Sequence, residues 1–592
     1  MSNQILKEIK ERIMHKHQGD EQQLAVTFSD AQIIMVEAPA GYGKTNTMVS
    51  KIAYMLATQQ IPNPKRLLAL TFSVNAAYKI KKDVLQKVPE LLKNTGLNVD
   101  ISSKIFVSNY HGFCRNILKK YGYKLHESLF DIDKLQTVDF TDYNIKKSMK
   151  STGISNETIE ILISCDSNVK YSPEKILECN FDFNQYNELI ISELLTKGII
   201  SYNSILTLVI KLFNDYPSIL RFYQKYFVCM IVDEYQDTNA LAYKLIGYLI
   251  NDKIKTIFLG DSLQRIFGFI GAVPNLFSIT QQDYNLTKIQ LNTNYRFASN
   301  PKMLQLEADI RKNAENPLLP SVDFAATIER HVFPDQKTEA FRIVRKSIAL
   351  INENPLLKIA ILINKRSKNI DCIIKEYEDK NIPYFYGLFT DQDARYIEFH
   401  RVSLHEFVEL FKEKDLISKK IKISHINKIK DVYDGKYDGK IDSQVMALID
   451  LLEIFWNKIF TEFSFLSDEE KVSLIKDVFA HNGLKQYIEF VNANIIISTV
   501  HAAKGLEWDY VILPDMEQDL FPSDRGLCKT CQCKNDCNLI VTEDNQQEFL
   551  RELSVFYVAV TRAKKQVYFT ASKTQLPNEE SKNISCLLKK RN

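Results

Sequence analysis

The sequence predicts an α/β protein whose parallel sheets are covered by helices, and three observations support this. Short runs rich in consecutive apolar and β-branched residues recur along the chain, helical segments separate them, and polar residues of unusual type lie at the ends of several runs. A continuously apolar strand is typical of a parallel sheet buried on both faces. Such sheets bind ligands at the carboxyl ends of their strands, which is where these polar residues occur.

The apolar runs fall into two groups, which predicts two α/β domains. The predicted strands are residues 31–38, 66–72, 227–234 and 255–261 in the first group, and 358–364, 494–500, 509–515 and 566–570 in the second. A long stretch with helical spacing interrupts each group. We therefore expect a first domain of residues 1–114 and 223–300 with a helical insertion at 115–222, and a second domain of 301–387 and 491–592 with a short helical insertion at 388–490.

Charge and hydropathy exclude several classes of protein. Lys and Arg (76) nearly balance Asp and Glu (73), so a nucleic-acid-binding face must be local if it exists. No stretch reaches the roughly 18–20 uninterrupted apolar residues of a membrane helix. The polar N-terminal segment lacks the apolar run of a signal peptide. We therefore expect a cytoplasmic protein with no membrane partner.

A candidate phosphate-binding loop follows the first predicted strand. Small residues let backbone N–H groups surround a phosphate, a lysine neutralises the β- and γ-phosphates of ATP, and a hydroxyl binds Mg²⁺. The loop consists of Ala38, Pro39, Ala40, Gly41, Tyr42, Gly43, Lys44, Thr45 and Asn46. Ala38 replaces the usual first glycine, so the alternative for this pattern alone is a Gly-rich turn that begins an ordinary helix.

Two carboxylates end a later apolar run and complete the predicted site. Asp233 and Glu234 are the last two residues of the run at 227–234, directly after its apolar stretch at 228–232. A Mg²⁺ ion at a triphosphate needs one carboxylate, and hydrolysis needs a second to orient and deprotonate water. We assign Asp233 to Mg²⁺ and Glu234 to the water. Adjacent acidic residues after a strand can be a solvated turn, but the phosphate loop favours an ATP-hydrolysing site.

Six further motifs follow in chain order, and with them the chain closely resembles the UvrD/Rep/PcrA family of superfamily 1 helicases. They are LTFSVNAA (70–77), NYHGF (109–113), LGDSLQRIFGFIGA (259–272), NYR (294–296), TVHAAKGLE (499–507) and YVAVTRA (557–563). The resemblance implies two RecA-like P-loop NTPase domains that hydrolyse ATP between them. It also implies a 3′-to-5′ single-stranded DNA translocase and helicase that acts at duplex–single-strand junctions, as in DNA repair.

The resemblance also assigns roles to individual residues. At the nucleotide, Gln22 reads adenine, Tyr295 stacks on it, Glu507 holds the ribose, Gln264 lies near the γ-phosphate, and Arg296 and Arg562 reach that phosphate. On the DNA strand, the base platforms are Phe72, Phe267 and Phe269, with Asn75, His111 and His501 as polar contacts. A base platform is aromatic because every base has a π-face, so little sequence specificity is expected.

Departures from the family pattern keep other functions open. Ile270 occupies the place of the usual arginine, Asn109 that of the usual threonine, and the insertion at 388–490 is shorter than the family's regulatory domain. The main alternative is a DNA-activated ATPase with weak unwinding of its own that serves a nuclease partner, as in the Gabija anti-phage system.

A third hypothesis is a binding module that is switched by nucleotide without turnover. It would require a broken hydrolytic set, yet Lys44, Glu234, Arg296 and Arg562 are all present. Their presence argues against a module without turnover.

A cysteine cluster lies in a predicted surface loop at 524–540. Its members are Cys528, Cys531, Cys533 and Cys537. Four thiols in a hydrophilic loop have no core to fill, and thiolates on one ion can order a loop that has few apolar residues. The sequence therefore predicts a structural metal site, with Zn²⁺ preferred, an iron–sulfur cluster as the alternative, and free surface thiols as the remaining interpretation.

Overall fold

The computed structural model describes most of the chain and divides it into two compact units, Met1–Thr293 (unit 1) and Asn294–Asn592 (unit 2). The described residues are 3–93, 99–142, 145–149, 152–178, 183–268, 271–320, 328, 330–390, 393–412, 416–436, 442–531, 539–574 and 581–588. Each unit contains a six-stranded sheet whose paired strands are all parallel. The predicted α/β class with parallel sheets is therefore confirmed.

Unit 1 has eight strands in its described part. They are β1 (Ile33–Glu37), β2 (Arg66–Thr71), β3 (Ile105–Asn109), β4 (Gln136–Val138), β5 (Ile199–Ser201), β6 (Phe227–Val232), β7 (Lys255–Gly260) and β8 (Thr287–Gln290). The large sheet has the order β3-β2-β6-β7-β1-β8, and β4 and β5 form a separate parallel pair.

Helices cover both faces of the unit 1 sheet. The α-helices in the described part of unit 1 are α1 (Asn3–Lys16), α2 (Glu21–Phe28), α3 (Lys44–Ala57), α4 (Val74–Leu92), α5 (Ile101–Lys104), α6 (Tyr110–Tyr121), α7 (Ile145–Met149), α8 (Asn156–Tyr171), α9 (Pro173–Leu177), α10 (Asn184–Leu189), α11 (Ser204–Asp215), α12 (Pro217–Tyr226), α13 (Ala240–Leu249) and α14 (Leu276–Asp283). In β1, Ile33 and Met35 join one core, whereas Ile34 and Val36 join the other. The strand is therefore apolar at consecutive positions because each face has its own core.

Unit 2 repeats this design with the sheet order β11-β12-β10-β13-β14-β9. Its strands are β9 (Arg330–Asp335), β10 (Ile359–Ile363), β11 (Phe385–Gly387), β12 (Ile495–Thr499), β13 (Trp508–Leu513) and β14 (Ala563–Thr574). Its helices are α15 (Pro301–Glu315), α16 (Gln336–Glu353), α17 (Lys368–Asp379), α18 (Ala394–Lys412), α19 (Lys419–Lys436), α20 (Ser443–Phe460), α21 (Asp468–Ala480), α22 (Leu527–Thr530) and α23 (Gln546–Val560). Across the described ranges, every helix is too short or too polar to span a bilayer.

Two buried histidines lie in the helical layer formed by α18 to α21. His400 Nδ1 donates to the Tyr396 carbonyl (2.8 Å), and its Nε2 accepts from the Leu484 N–H (3.2 Å). His425 Nε2 donates to the Ser403 carbonyl (2.8 Å), and its Nδ1 accepts from the indole of Trp456 (3.0 Å). In each ring one nitrogen accepts a hydrogen bond, so both rings are neutral.

Acid is expected to destabilise unit 2 through these two rings. Burial lowers the pKa of His400 to about 3 and that of His425 to about 4, from the usual 6.5. Below that usual value the unfolded chain binds protons that the folded chain does not, so the free energy of unfolding decreases as the pH falls. Between about pH 7.5 and about pH 5 the expected loss is about 2 kcal/mol for each ring, measured by urea unfolding.

A double variant isolates this contribution from that of other groups. His400→Gln combined with His425→Gln should show a smaller loss over the same pH range. His405→Gln is the matched control, because its side chain is 68% exposed. An unchanged pH dependence in the double variant would contradict the assignment.

Candidate functional site

The predicted phosphate loop joins β1 to α3 in unit 1. Gly41 and Gly43 have φ angles of 85° and 81°, a region that disfavours residues with a β-carbon. Gly43 precedes α3, which begins at Lys44. The Ala38 N–H donates to the Gly260 carbonyl at the end of β7 (2.8 Å). The loop therefore leads into the N-terminus of a long helix, where backbone N–H groups favour an anion.

Lys44 contacts both predicted carboxylates. Its Nζ lies 2.5 Å from Glu234 Oε1 and 3.3 Å from Asp233 Oδ1. Burial alone would lower the pKa of Lys44, but the charges of Asp233 and Glu234 outweigh it, so the pKa lies above its usual value. Burial raises the pKa of Asp233, and the ammonium opposes that shift. The structure thus brings together the lysine and the two carboxylates that the sequence predicted.

The donor set at Asp233 fits a Mg²⁺ ion. Asp233 is buried, and among the described residues Lys44 is the contact of its Oδ1, at 3.3 Å. Thr45 follows Lys44 in the first turn of α3 and is half-buried. A carboxylate oxygen and a hydroxyl are oxygen ligands of the kind that Mg²⁺ binds at a nucleotide. These two residues could hold the ion.

A chain of hydrogen bonds connects Glu234 to Gln264. The Gln236 amide donates to Glu234 Oε2 (2.6 Å), and its carbonyl oxygen accepts from the Asp261 N–H (3.1 Å). Asp261 in turn accepts from the Gln264 amide (2.8 Å). Gln236, Asp261 and Gln264 are all buried. Sequence reasoning gave no role to Gln236 or Asp261, although each lies within three residues of a predicted site residue.

Gln23 lies against the phosphate loop, whereas the predicted adenine reader, Gln22, is half-buried beside it on α2. The Gln23 amide nitrogen donates to the Tyr42 carbonyl (3.4 Å), and its oxygen faces His17 Nδ1 at hydrogen-bonding distance. His17 Nε2 lies 2.8 Å from the Ser50 hydroxyl on α3. Burial lowers the pKa of His17, which favours a neutral ring. These contacts hold the Gln23 side chain against the phosphate loop.

Four of the predicted DNA-binding residues lie in the described part of unit 1. Phe72 and Phe267 stack with ring centroids 5.5 Å apart, and both are half-buried. His111 stacks on Tyr202 at 3.7 Å. Asn75 lies in the first turn of α4. The third predicted base platform, Phe269, lies outside the described residues. The same is true of Ile270, which replaces the family's usual arginine.

Asn109, the other departure from the family pattern, has a clear local role. It precedes α6, and its side-chain oxygen accepts from the Gly112 N–H (2.9 Å). Asparagine is among the residues preferred at a helix N-cap because it satisfies a backbone N–H that has no partner within the helix.

The predicted residues of unit 2 also form a cluster. Arg296 donates to the Glu507 carboxylate and to the Thr561 carbonyl. Arg562 is buried, and it donates to the Val558 carbonyl (3.0 Å), the Leu506 carbonyl (3.2 Å) and the Thr561 hydroxyl (3.1 Å). The two arginines therefore lie on neighbouring backbone segments, and each is held by oxygen acceptors of its own unit.

The remaining predicted residues are less enclosed. Tyr295, the predicted adenine platform, is 42% exposed. His501 is half-buried in the turn after β12. Cys528 is buried and donates to the Pro522 carbonyl (3.3 Å), and Cys531 is half-buried one helical turn away. Cys533 and Cys537 lie outside the described residues, and the residues that are described contain no group of three or more metal-binding side chains.

The loop, its lysine and the adjacent carboxylates at the end of a parallel strand define the class of P-loop nucleoside triphosphatases. Comparison with known proteins narrows the class. Residues 18–285 match the profile of the UvrD/REP helicase N-terminal domain, and residues 397–574 match that of the UvrD-like helicase C-terminal domain.

Relatives match nearly the whole chain. DNA helicase II of Rickettsia typhi is 24% identical and covers 94% of this chain and 92% of its own length. ATP-dependent DNA helicase PcrA of Staphylococcus epidermidis is 24% identical over 95% of this chain and 84% of its own length. A probable DNA helicase II homolog of Mycoplasma genitalium is also 24% identical, over 96% and 86%.

The chain therefore belongs to the UvrD/Rep helicase family and is an ATP-dependent DNA helicase of the UvrD/PcrA type. The family resemblance that the motifs predicted is confirmed.

Gly43→Ala is expected to weaken nucleotide binding. A β-carbon at Gly43 would lie 2.6 Å from the Gln23 amide nitrogen, and the φ of 81° adds a backbone cost of about 1–2 kcal/mol for an L-residue. We expect the Kd for a non-hydrolysable ATP analogue to rise about tenfold. Gly19→Ala is the matched control, because Gly19 has a φ of 79° but no heavy atom within 4 Å of its β-carbon position. Wild-type affinity in Gly43→Ala would contradict the expectation.

Proposed function

We propose that this helicase is a 3′-to-5′ single-stranded DNA translocase that couples ATP hydrolysis to movement along one strand. The observation that carries the proposal is the hydrogen-bond chain from Glu234 through Gln236 and Asp261 to Gln264. Gln264 lies three residues before Phe267, which stacks on the second candidate base platform, Phe72. A movement of the Glu234 carboxylate can therefore be transmitted to Phe267 and Phe72 through three hydrogen bonds and three residues of the chain. Polarity follows from the family resemblance.

The proposed chemistry begins at the phosphates of ATP. Lys44 binds the β- and γ-phosphates, and Glu234 orients and deprotonates the attacking water. Asp233 and Thr45 hold Mg²⁺, which when bound neutralises phosphate charge. Because Lys44 contacts Glu234, its transfer to a phosphate would leave that carboxylate free to accept a proton from water.

Other residues bind the nucleotide or stabilise the charge that develops on it. Gln22, Tyr295 and Glu507 bind the adenine and ribose, and Gln264 lies near the γ-phosphate. Arg296 and Arg562 stabilise charge on the transferring phosphoryl group, since a guanidinium suits planar, bidentate contact with phosphate oxygens.

The strand is proposed to bind through stacking and a few polar side chains. Phe72, Phe267 and Phe269 are the base platforms, and Asn75, His111 and His501 are the polar contacts. Stacking on each platform contributes about 1–3 kcal/mol and tolerates any base. Single strands and duplex–single-strand junctions are the proposed substrates.

Three broader predictions from the sequence belong to the same proposal. The motor domains comprise residues 1–114 with 223–300, and 301–387 with 491–592, while 115–222 and 388–490 are insertions. The protein acts in the cytoplasm, in a DNA repair role if it unwinds duplexes alone.

A second candidate is a DNA-activated ATPase that serves a nuclease partner in anti-phage defence. The compact second insertion favours it, since its described part between β11 and β12 consists of the four α-helices α18 to α21 and one 3-10 helix at Gly483–Phe490. A short insertion offers little surface for duplex contacts, so strand separation would depend on the partner.

We also propose a structural metal at Cys528, Cys531, Cys533 and Cys537, with Zn²⁺ preferred over an iron–sulfur cluster. In support, α22 places Cys528 and Cys531 one turn apart, and neither forms a disulfide. Metal analysis of anaerobically purified protein should give about one zinc per chain without a visible band. A band near about 400 nm would indicate iron–sulfur instead, and absence of both metals would exclude the site.

Glu234→Gln is expected to abolish turnover while preserving nucleotide binding. The amide keeps the shape of the side chain but cannot accept a proton from water, so kcat should fall by about two to four orders of magnitude. Steady-state ATPase assays with and without oligo-dT, together with an ATP-analogue titration, measure both effects. Lys44→Ala should weaken binding as well as turnover. Wild-type turnover in Glu234→Gln would remove the carboxylate from the mechanism.

The same preparations distinguish the two candidate functions. The translocase hypothesis expects ATP-dependent separation of a duplex with a 3′ tail and none with a 5′ tail, with Glu234→Gln as the inactive control. DNA-stimulated ATPase without separation of either duplex would favour the nuclease-serving alternative. Separation from the 5′ tail would overturn the proposed polarity.

A further inference from the structure

Three side chains form a buried cluster between α15 and α23 in unit 2. Arg311 Nε donates to Glu307 Oε1 (2.5 Å), and Arg311 Nη2 donates to the Tyr557 hydroxyl (2.5 Å). That hydroxyl donates to Glu307 Oε1 (3.2 Å). The guanidinium also lies 4.8 Å from the centre of the Tyr557 ring. Glu307 and Tyr557 are fully buried, so the ion pair and the phenol form one enclosed unit.

This cluster continues by hydrogen bonds to Arg562. The Tyr557 carbonyl accepts from the Thr561 hydroxyl (2.8 Å), and that hydroxyl accepts from Arg562 Nη2 (3.1 Å). Arg562 Nε donates to the Val558 carbonyl, the next carbonyl along the helix (3.0 Å). The position of the Arg562 guanidinium therefore depends on the last turn of α23, and Tyr557 holds that turn.

The N-terminal end of α15 also contacts the chain on the C-terminal side of Arg562. Asn300, which precedes α15, donates from its side-chain amide to the Lys565 carbonyl (2.7 Å). Arg311 holds the segment five residues before Arg562, and Asn300 holds it three residues after. Two contacts from one helix thus fix the ends of a short segment that has Arg562 near its middle.

We propose that Arg311 is a positioning residue for Arg562, and this inference rests on the proposed role of Arg562 at the γ-phosphate. Arg311 contacts Glu307 and Tyr557, so its proposed role is to position another residue. Its planar guanidinium holds Glu307 and the Tyr557 hydroxyl at the same time, which a lysine cannot do in the same geometry. A misplacement of about 1 Å at a charge-stabilising group reduces turnover strongly.

Arg311→Ala is expected to lower DNA-stimulated kcat about tenfold while KM for ATP changes less than about twofold. Arg562 is assigned to charge that develops during phosphoryl transfer, so its displacement should affect turnover more than binding. Arg311→Lys keeps the positive charge beside Glu307 and should give an intermediate kcat. A thermal melt identifies protein that is folded at the assay temperature, and rates are compared only for that protein.

Tyr557→Phe guards against loss of folding, because it removes only the hydroxyl and leaves the Arg311–Glu307 pair intact. It should lower kcat in the same direction. Arg551→Ala is the matched control: Arg551 is on the same helix, and its side chain is 57% exposed and paired with Glu548 at 2.6 Å. Unchanged kcat in folded Tyr557→Phe, or an equal loss in Arg551→Ala, would overturn the positioning role.

A double-mutant cycle separates this inference from the function on which it rests. Arg562→Lys alone should lower kcat, and adding Arg311→Ala should lower it less than about twofold further, because the group being positioned has already been changed. Independent losses that multiply would overturn the inference. If Arg562→Lys leaves kcat unchanged, the proposed role of Arg562 fails first. If it lowers kcat but folded Arg311→Ala does not, only the positioning role fails.

Discussion

The common direction of the strands is the constraint on which both units depend. Because the paired strands of each large sheet are parallel, their carboxyl ends lie on the same side of the sheet, and the segments that follow the strands all begin there. In unit 1, the segments after β1, β2, β6 and β7 supply the phosphate loop, Phe72, the Asp233–Glu234 pair and Asp261. Lys44 and Glu234, which are 190 positions apart in the sequence, meet for this reason.

The central part of each sheet could be predicted from the sequence, whereas the edges could not. The eight apolar runs correspond to β1, β2, β6 and β7 in unit 1 and to β10, β12, β13 and β14 in unit 2, which are the four inner strands of each sheet. The strands that were missed in the large sheets, β3, β8, β9 and β11, are the four edges. An edge strand has a neighbour on one side only, so β8 and β9 are largely exposed or half-exposed and carry no continuous apolar signal, while β11 has only three residues.

In the candidate site, the sequence predicted the residues that belong to local motifs and missed those whose role depends on distant contacts. Lys44 and the two carboxylates could be found because each has a recognisable local context, a loop or a strand end. Gln23 and Gln236 have no such context, and Asp261, although it ends a predicted strand, is unremarkable until its partners Gln236 and Gln264 are known. The contact of Arg296 with Glu507 joins residues 211 positions apart, and only the folded chain brings them together.

The left-handed backbone conformation of Glu234 sets the stability of the fold against the chemistry of the side chain. Glu234 has φ 50° and ψ 42°, a left-handed conformation that a residue with a long side chain adopts at a cost of about 1 kcal/mol or more. Glycine or asparagine would relieve that cost but would remove the carboxylate to which we assign the activation of water. Directed evolution for thermal stability alone would therefore enrich substitutions at position 234 that stabilise the fold and abolish ATP hydrolysis. A selection for a stable helicase has to require activity as well as stability.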